Sequence, residues 1–113
     1  MIDIKQLASL CKKIKLLYVE DEPALREQTV MLLSNFFDTI TVAVDGQDGL
    51  TKFNENDIDL IVSDINMPIM DGIEMLKNIR ETDNDVSFIV LSAHNDVDKF
   101  QRTIEYGVDG YDS

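Results

Sequence analysis

Apolar and polar residues alternate along the chain with two different periods, and the points where the period changes mark the elements. Residues 2–13 place Ile4, Leu7, Ala8 and Cys11 at i, i+3, i+4 and i+7, one stripe of a helix. Asp3 at its start and Lys12-Lys13 at its end suit the helix dipole. Ile14–Val19 is a nearly continuous apolar run, the pattern of a strand buried on both faces. It stops at Glu20-Asp21-Glu22-Pro23, and Pro23 fits the first turn of a helix, where its missing N–H goes unused. Leu25, Thr29, Leu32, Leu33 and Phe36 form the expected inward face of that helix.

The alternation then repeats. Thr39–Val44 reads as a β-branched strand and Gly46–Asn56 as a helix carrying Leu50 and Phe53 inward. Ile58–Ser63 is a strand ending at Asp64, followed by a loop over 65–71. Gly72–Glu81 is a helix with Ile73, Leu76 and Ile79 inward, and Val86–Leu91 is a strand ending at Ser92. His94–Tyr106 is a helix with Gly107 as its C-cap, and a fifth strand begins at Val108. Strands alternating with helices of this length predict βαβ units, right-handed crossovers and a doubly wound α/β domain on a parallel sheet.

Composition narrows the function classes. The 113 residues carry 22 acidic and 10 basic side chains, a formal charge of −12, which disfavours direct contact with nucleic acid or an anionic membrane. Cys11 is the single cysteine, so no intramolecular disulfide can form. No apolar run is long enough to span a bilayer, and no signal peptide is legible, so a cytoplasmic protein is expected.

In open parallel sheets, ligands gather beyond the carboxyl ends of the strands. The first strand delivers Glu20 and Asp21 there, the third Asp64 and the fourth Ser92. Two like charges about 4 Å apart repel by roughly 4 kcal/mol at an effective dielectric near 20. Either one carboxyl stays protonated or a cation sits among them, and Mg²⁺, which keeps several waters, suits so small an oxygen set.

Four segments together resemble the response-regulator receiver domain, the CheY-like phosphoacceptor module of two-component signalling. They are Val19-Glu20-Asp21-Glu22-Pro23, Ser63 through Gly72, Leu91-Ser92-Ala93 and Gly107-Val108-Asp109-Gly110-Tyr111. The resemblance implies a flavodoxin-like sheet of five parallel strands in the order 2-1-3-4-5, with residues 1–13 as an extra N-terminal helix and 14–113 as the receiver domain. It further implies that Asp64 accepts a phosphoryl group from a histidine kinase or phosphotransfer protein. Glu20, Asp21, Asp64 and the Asn66 backbone carbonyl would hold Mg²⁺, with Ser92 as the switch hydroxyl and Tyr111 as the switch aromatic. Phosphorylation would then change the conformation and control an output domain or protein. In the family a lysine follows the switch aromatic by three residues and a last helix follows that. Both would fall after Ser113, so slow phosphorylation and an uncovered apolar face are expected. The helix at 2–13, from this chain or from a second copy in a dimer, has the stripe to cover that face.

Other readings fare worse. Asp64-x-Asn66 is not a calcium loop, because Pro68 follows and no glutamate stands at the twelfth position. An aspartyl-phosphate hydrolase of the haloacid-dehalogenase type would need a second aspartate where Asn66 stands. A receiver-like docking module that works without phosphorylation would be favoured by a degenerate acid pocket, and Glu20, Asp21, Asp64 and Ser92 are all present. His94, the single histidine, is either a solvated residue at a helix start or a modulator of dephosphorylation.

Overall fold

The computed structural model describes residues 3–91 and 110–112. Among the described residues, four helices and five strands follow in the order α1 (Ile4–Lys12), β1 (Lys15–Val19), α2 (Pro23–Leu33), β2 (Thr39–Ala43), α3 (Gly46–Glu55), β3 (Leu60–Asp64), α4 (Gly72–Arg80), β4 (Ser87–Leu91) and β5 (Gly110–Asp112). All strand pairs are parallel and the order is β2-β1-β3-β4-β5, the flavodoxin-like topology expected. Element boundaries differ from the sequence expectation by one or two residues, the usual fraying of helix and strand ends. The expected helix over 94–106 and its Gly107 cap lie outside the described residues.

Strand β1 is central, and Leu16, Leu17, Tyr18 and Val19 are all buried, as a doubly covered strand requires. Its alternation divides the core in two. Leu17 and Val19 join Ile61, Phe88 and Val90 under Ile73, Met75, Leu76 and Ile79 of α4, with Leu50 and Phe53 of α3 against them. Leu16, Tyr18 and Val62 face the other side, where Val30, Leu33 and Phe37 pack on them.

The inward face of α2 keeps Thr29 and Leu33 as expected and corrects the rest. Leu25, Leu32 and Phe36 are exposed, and the stripe that faces the sheet is Arg26, Thr29, Val30, Leu33 and Phe37. Two apolar stripes compete on this segment, and polar tethers choose between them. Arg26 donates to the carbonyls of Glu20 and Asp21, and Thr29 is hydrogen-bonded to the buried Tyr18 phenol. Cys11, expected on the inner stripe of α1, is half-buried.

Each helix start is fixed by a carboxylate. Asp3 forms a capping box with Gln6, Glu22 accepts from the amides of Ala24 and Leu25, Asp45 from Asp48 and Asp71 from Glu74. Pro23 occupies the first turn of α2, as its missing N–H allows.

Candidate functional site

The carboxyl ends of β1 and β3 are adjacent strands in register, with Val19 opposite Ser63. The chain therefore leaves the sheet at Glu20-Asp21 and at Asp64 on the same edge. One carboxylate oxygen from each of Glu20, Asp21 and Asp64 lies within 4.8 Å of the others. Glu20 is 4% exposed, whereas Asp21 and Asp64 are half-buried and open to solvent.

Burial is the first cause that pushes the Glu20 carboxyl up, to about 7, and the charges of Asp64 and Asp21 add to it. The Glu22 backbone N–H, which donates to Glu20 Oε2 at 3.1 Å, opposes the rise. A buried acid this reluctant to ionise beside two others is a site short of positive charge. Three hard oxygen donors fit a Mg²⁺ ion, which would supply that charge. Burial likewise raises the Tyr18 phenol, which stays neutral beneath the site, although the Thr29 hydrogen bond and Arg26 oppose the shift.

The loop over 65–71 carries Asp64 into α4 and is fixed at both ends. Ile65 N–H donates to Asp64 Oδ1 at 2.8 Å, and Ser63 Oγ donates to the Asp64 carbonyl at 2.7 Å. Gly72 N–H donates to the Ile65 carbonyl at 2.8 Å, and a Cβ on Gly72 would sit 2.3 Å from the Asp64 carbonyl oxygen. Gly46 N–H reaches the Met70 carbonyl at 3.0 Å, and a Cβ there would come within 2.1 Å of that oxygen. Neither contact tolerates a side chain. Between these anchors Met70 N–H donates to the Pro68 carbonyl at 2.7 Å across Ile69, whose φ is +70°. This is a classic γ-turn with a β-branched residue at its centre, a conformation that costs about 1–3 kcal/mol.

The structure brings Glu20, Asp21 and Asp64 together, as the sequence reading expected. Asn66 lies two residues beyond Asp64 on the loop, exposed. Ser92 and His94 lie outside the described residues. Tyr111 sits in β5, the outer strand beyond β4, at the register position opposite Val90. Sequence reasoning missed Arg26, whose Nη1 donates to the Glu20 carbonyl at 2.9 Å and the Asp21 carbonyl at 3.4 Å. The usable signal was its place one turn into a helix, because helical side chains lean toward the N-terminus.

A parallel sheet in this order with three acids gathered at the carboxyl ends of its strands defines the class as a doubly wound α/β domain with an acid pocket at that edge. Comparison with known proteins then places it: residues 16–111 match the response regulator receiver domain, and the chain belongs to that family. It is 35% identical over 100 residues to "Probable C4-dicarboxylate response regulator DctR" of Halalkalibacterium halodurans, covering 87% of this chain and 44% of that protein. It is 38% identical over 106 residues to "Probable chemotaxis protein CheY" of Rhizobium etli, covering 88% of this chain and 79% of that one. The chain thus spans less than half the length of DctR. Among solved structures, the N-terminal domain of an uncharacterized Wolinella succinogenes protein superposes with a TM-score of 0.83 at 36% identity, covering 87% and 79% of the two chains. The CheX–CheY–BeF3–Mg²⁺ complex of Borrelia burgdorferi gives 0.80 at 29%, covering 88% and 76%.

The chain is therefore a receiver domain with a phosphoacceptor role in two-component signalling, in a family for which Mg²⁺ and phosphorylation are standard. The hydrolase and the phosphorylation-independent docking module find no support among these relatives. Among the described residues no helix is long and apolar enough to cross a membrane.

Proposed function

We propose that Asp64 is the phosphoryl acceptor, and that Glu20 and Asp21 hold Mg²⁺ with it. The observation that carries this reading is the convergence of the three carboxylates within 4.8 Å, one of them buried. An Asp64 oxygen would attack phosphorus as the bond from phosphorus to the donor imidazole breaks, and that nitrogen would keep the electron pair. The bound ion would offset the repulsion between the attacking carboxylate and the phosphoryl oxygens.

The chain's own residues prepare this step. Arg26 fixes the backbone of Glu20 and Asp21, and the Ile65 amide orients the Asp64 carboxylate. Gly46 and Gly72 let the loop over 65–71 close against its neighbours, which sets Asp64 at the mouth of the acid pocket. Asn66 would complete the metal site through its carbonyl, and by resemblance to the family Ser92 would be the switch hydroxyl and Tyr111 the switch aromatic of a two-state switch. Residues 14–113 form the receiver unit, with residues 1–13 as an N-terminal extension.

The donor is a histidine kinase or phosphotransfer protein in the cytoplasm, and the phosphorylated form controls an output domain or protein. The chain modifies its own aspartate and turns over no separate substrate beyond that adduct. Incubation with a small phosphodonor and Mg²⁺ tests the assignment. An acid-stable, base-labile adduct should form on the wild type and be absent from Asp64→Asn, whose amide has no anionic oxygen. Undiminished labelling of Asp64→Asn would refute it.

A further inference from the structure

Arg26 lies one turn into α2 and reaches back past the start of its own helix, the direction in which helical side chains lean. Its Nη1 donates to the Glu20 carbonyl at 2.9 Å and to the Asp21 carbonyl at 3.4 Å. One nitrogen thus gathers two successive backbone oxygens, and the turn that carries both acids is held from the helix side. The helix end of this clasp is fixed as well. Arg26 N–H donates to the Glu22 carbonyl at 2.9 Å, and Thr29 is hydrogen-bonded to Tyr18. Val30 and Leu33 pack against the cluster of Leu16, Tyr18 and Val62 on the sheet.

A guanidinium so placed acts on a cation at the acid pocket in two ways of opposite sign. As a positive charge beside the three carboxylates it repels the cation and weakens binding. As a clasp on the backbone it keeps Glu20 and Asp21 where their carboxylates meet that of Asp64 within 4.8 Å, so the ligands are ordered before the cation arrives. The bonding shows which effect is larger. Arg26 donates to neutral carbonyls of the acid pair, so the negative charge of the pocket is left for the cation, and geometry is what the arginine supplies. We propose that Arg26 is a positioning residue for Mg²⁺ at the acid pocket, through which the seating of α2 on the sheet sets the affinity of the pocket. The inference rests on Glu20, Asp21 and Asp64 holding the ion. A change that loosens α2 then slackens the clasp, and by reciprocity an occupied pocket steadies α2.

Mg²⁺ alone is the probe, titrated by calorimetry into the wild type, Arg26→Met, Arg26→Lys, Val30→Ala and the Arg26→Met, Val30→Ala double variant, each checked for folding by circular dichroism. Arg26→Met keeps an unbranched apolar stem and removes donor and charge together, so the sign of its effect decides. Its Kd should rise about tenfold, as when a group that orients metal ligands is lost. Arg26→Lys should recover part of the loss, because an ammonium donates to carbonyls without the planar fork. Val30→Ala trims the packing of α2 one turn beyond Arg26. It should raise Kd about threefold when Arg26 is present and leave it unchanged in Arg26→Met, a non-additivity that only a shared route produces. Tighter binding in Arg26→Met would overturn the proposal, because the arginine would then act through its charge. So would an unchanged Kd accompanied only by lower resistance to urea, the result of a merely structural role. Additive effects of the two substitutions would overturn the link to α2. Should Arg26→Met not fold, a wild-type Kd in both Arg26→Lys and Val30→Ala would overturn the proposal equally. A wild type that binds no Mg²⁺ would instead remove the metal reading of the three acids, and this inference with it.

Discussion

Glu20 is the residue on which the electrostatics of the site turn. Its carboxyl is raised from 4.5 to about 7, first by burial and then by its acidic neighbours. The folded state therefore binds a proton more readily than the unfolded chain does. That contribution favours folding below pH 4.5 and fades as pH rises toward 7, because ionisation is then easier in the unfolded state. Without metal, unfolding measured by urea at pH 5 and pH 8 should show a loss at the higher pH of up to about 3 kcal/mol from this group. Glu20→Gln should flatten that slope and be the more stable protein at pH 8. An equal slope in both proteins would show that Glu20 is not the group responsible. Asp21 gives a companion outcome. Asp21→Asn should stabilise the metal-free fold by relieving repulsion, and should weaken Mg²⁺ binding by calorimetry. At this scale the acids were legible because their types and their places at strand ends were explicit. Arg26 was not, because its role is to donate to backbone carbonyls, and no residue pattern in the acid pair announces that.

Elements were legible where one period dominated. The apolar run of β1 and the Ile73, Leu76 and Ile79 stripe of α4 allow a single orientation, and all of these residues are buried. Helix α2 offered two stripes that share Thr29 and Leu33, and for the remaining positions the sequence reading chose Leu25, Leu32 and Phe36, which face solvent. What decides is the attachment of Arg26 to the Glu20 and Asp21 carbonyls just beyond β1 and of Thr29 to Tyr18 within it, which turns Val30 inward beside Leu33. The two readings differ measurably. Leu33→Ala should cost about 1–3 kcal/mol in chemical denaturation, and Leu32→Ala, 61% exposed, within about 0.5 kcal/mol. Comparable losses in both would restore the rejected orientation. The glycines that close the loop over 65–71 belong to the same scale. Gly72→Ala should destabilise by about 1–3 kcal/mol, because its Cβ meets backbone that cannot step aside. The same variant should also slow labelling of Asp64.

At the scale of the molecule, a chain of charge −12 gathers three of its carboxylates at the carboxyl ends of two adjacent strands. Alternation of strands and helices was enough to announce the doubly wound class. The strand order came from the resemblance of four short segments, and the structure has that order. Ser92 and His94 fall outside the described residues, so their roles rest on that resemblance. A cation that binds only the folded state must stabilise it. Saturation with Mg²⁺ at a hundred times its dissociation constant should add about 2.7 kcal/mol, an increment that shrinks in Asp21→Asn and Asp64→Asn.

The most direct measurement is to locate the phosphoryl group itself. The chain is labelled with a small phosphodonor and Mg²⁺, the acyl phosphate is reduced with borohydride, and the converted residue is found by peptide mass spectrometry. Conversion at Asp64 is the predicted result. Conversion at Asp21 or any other carboxylate, with Asp64 untouched, would contradict the account.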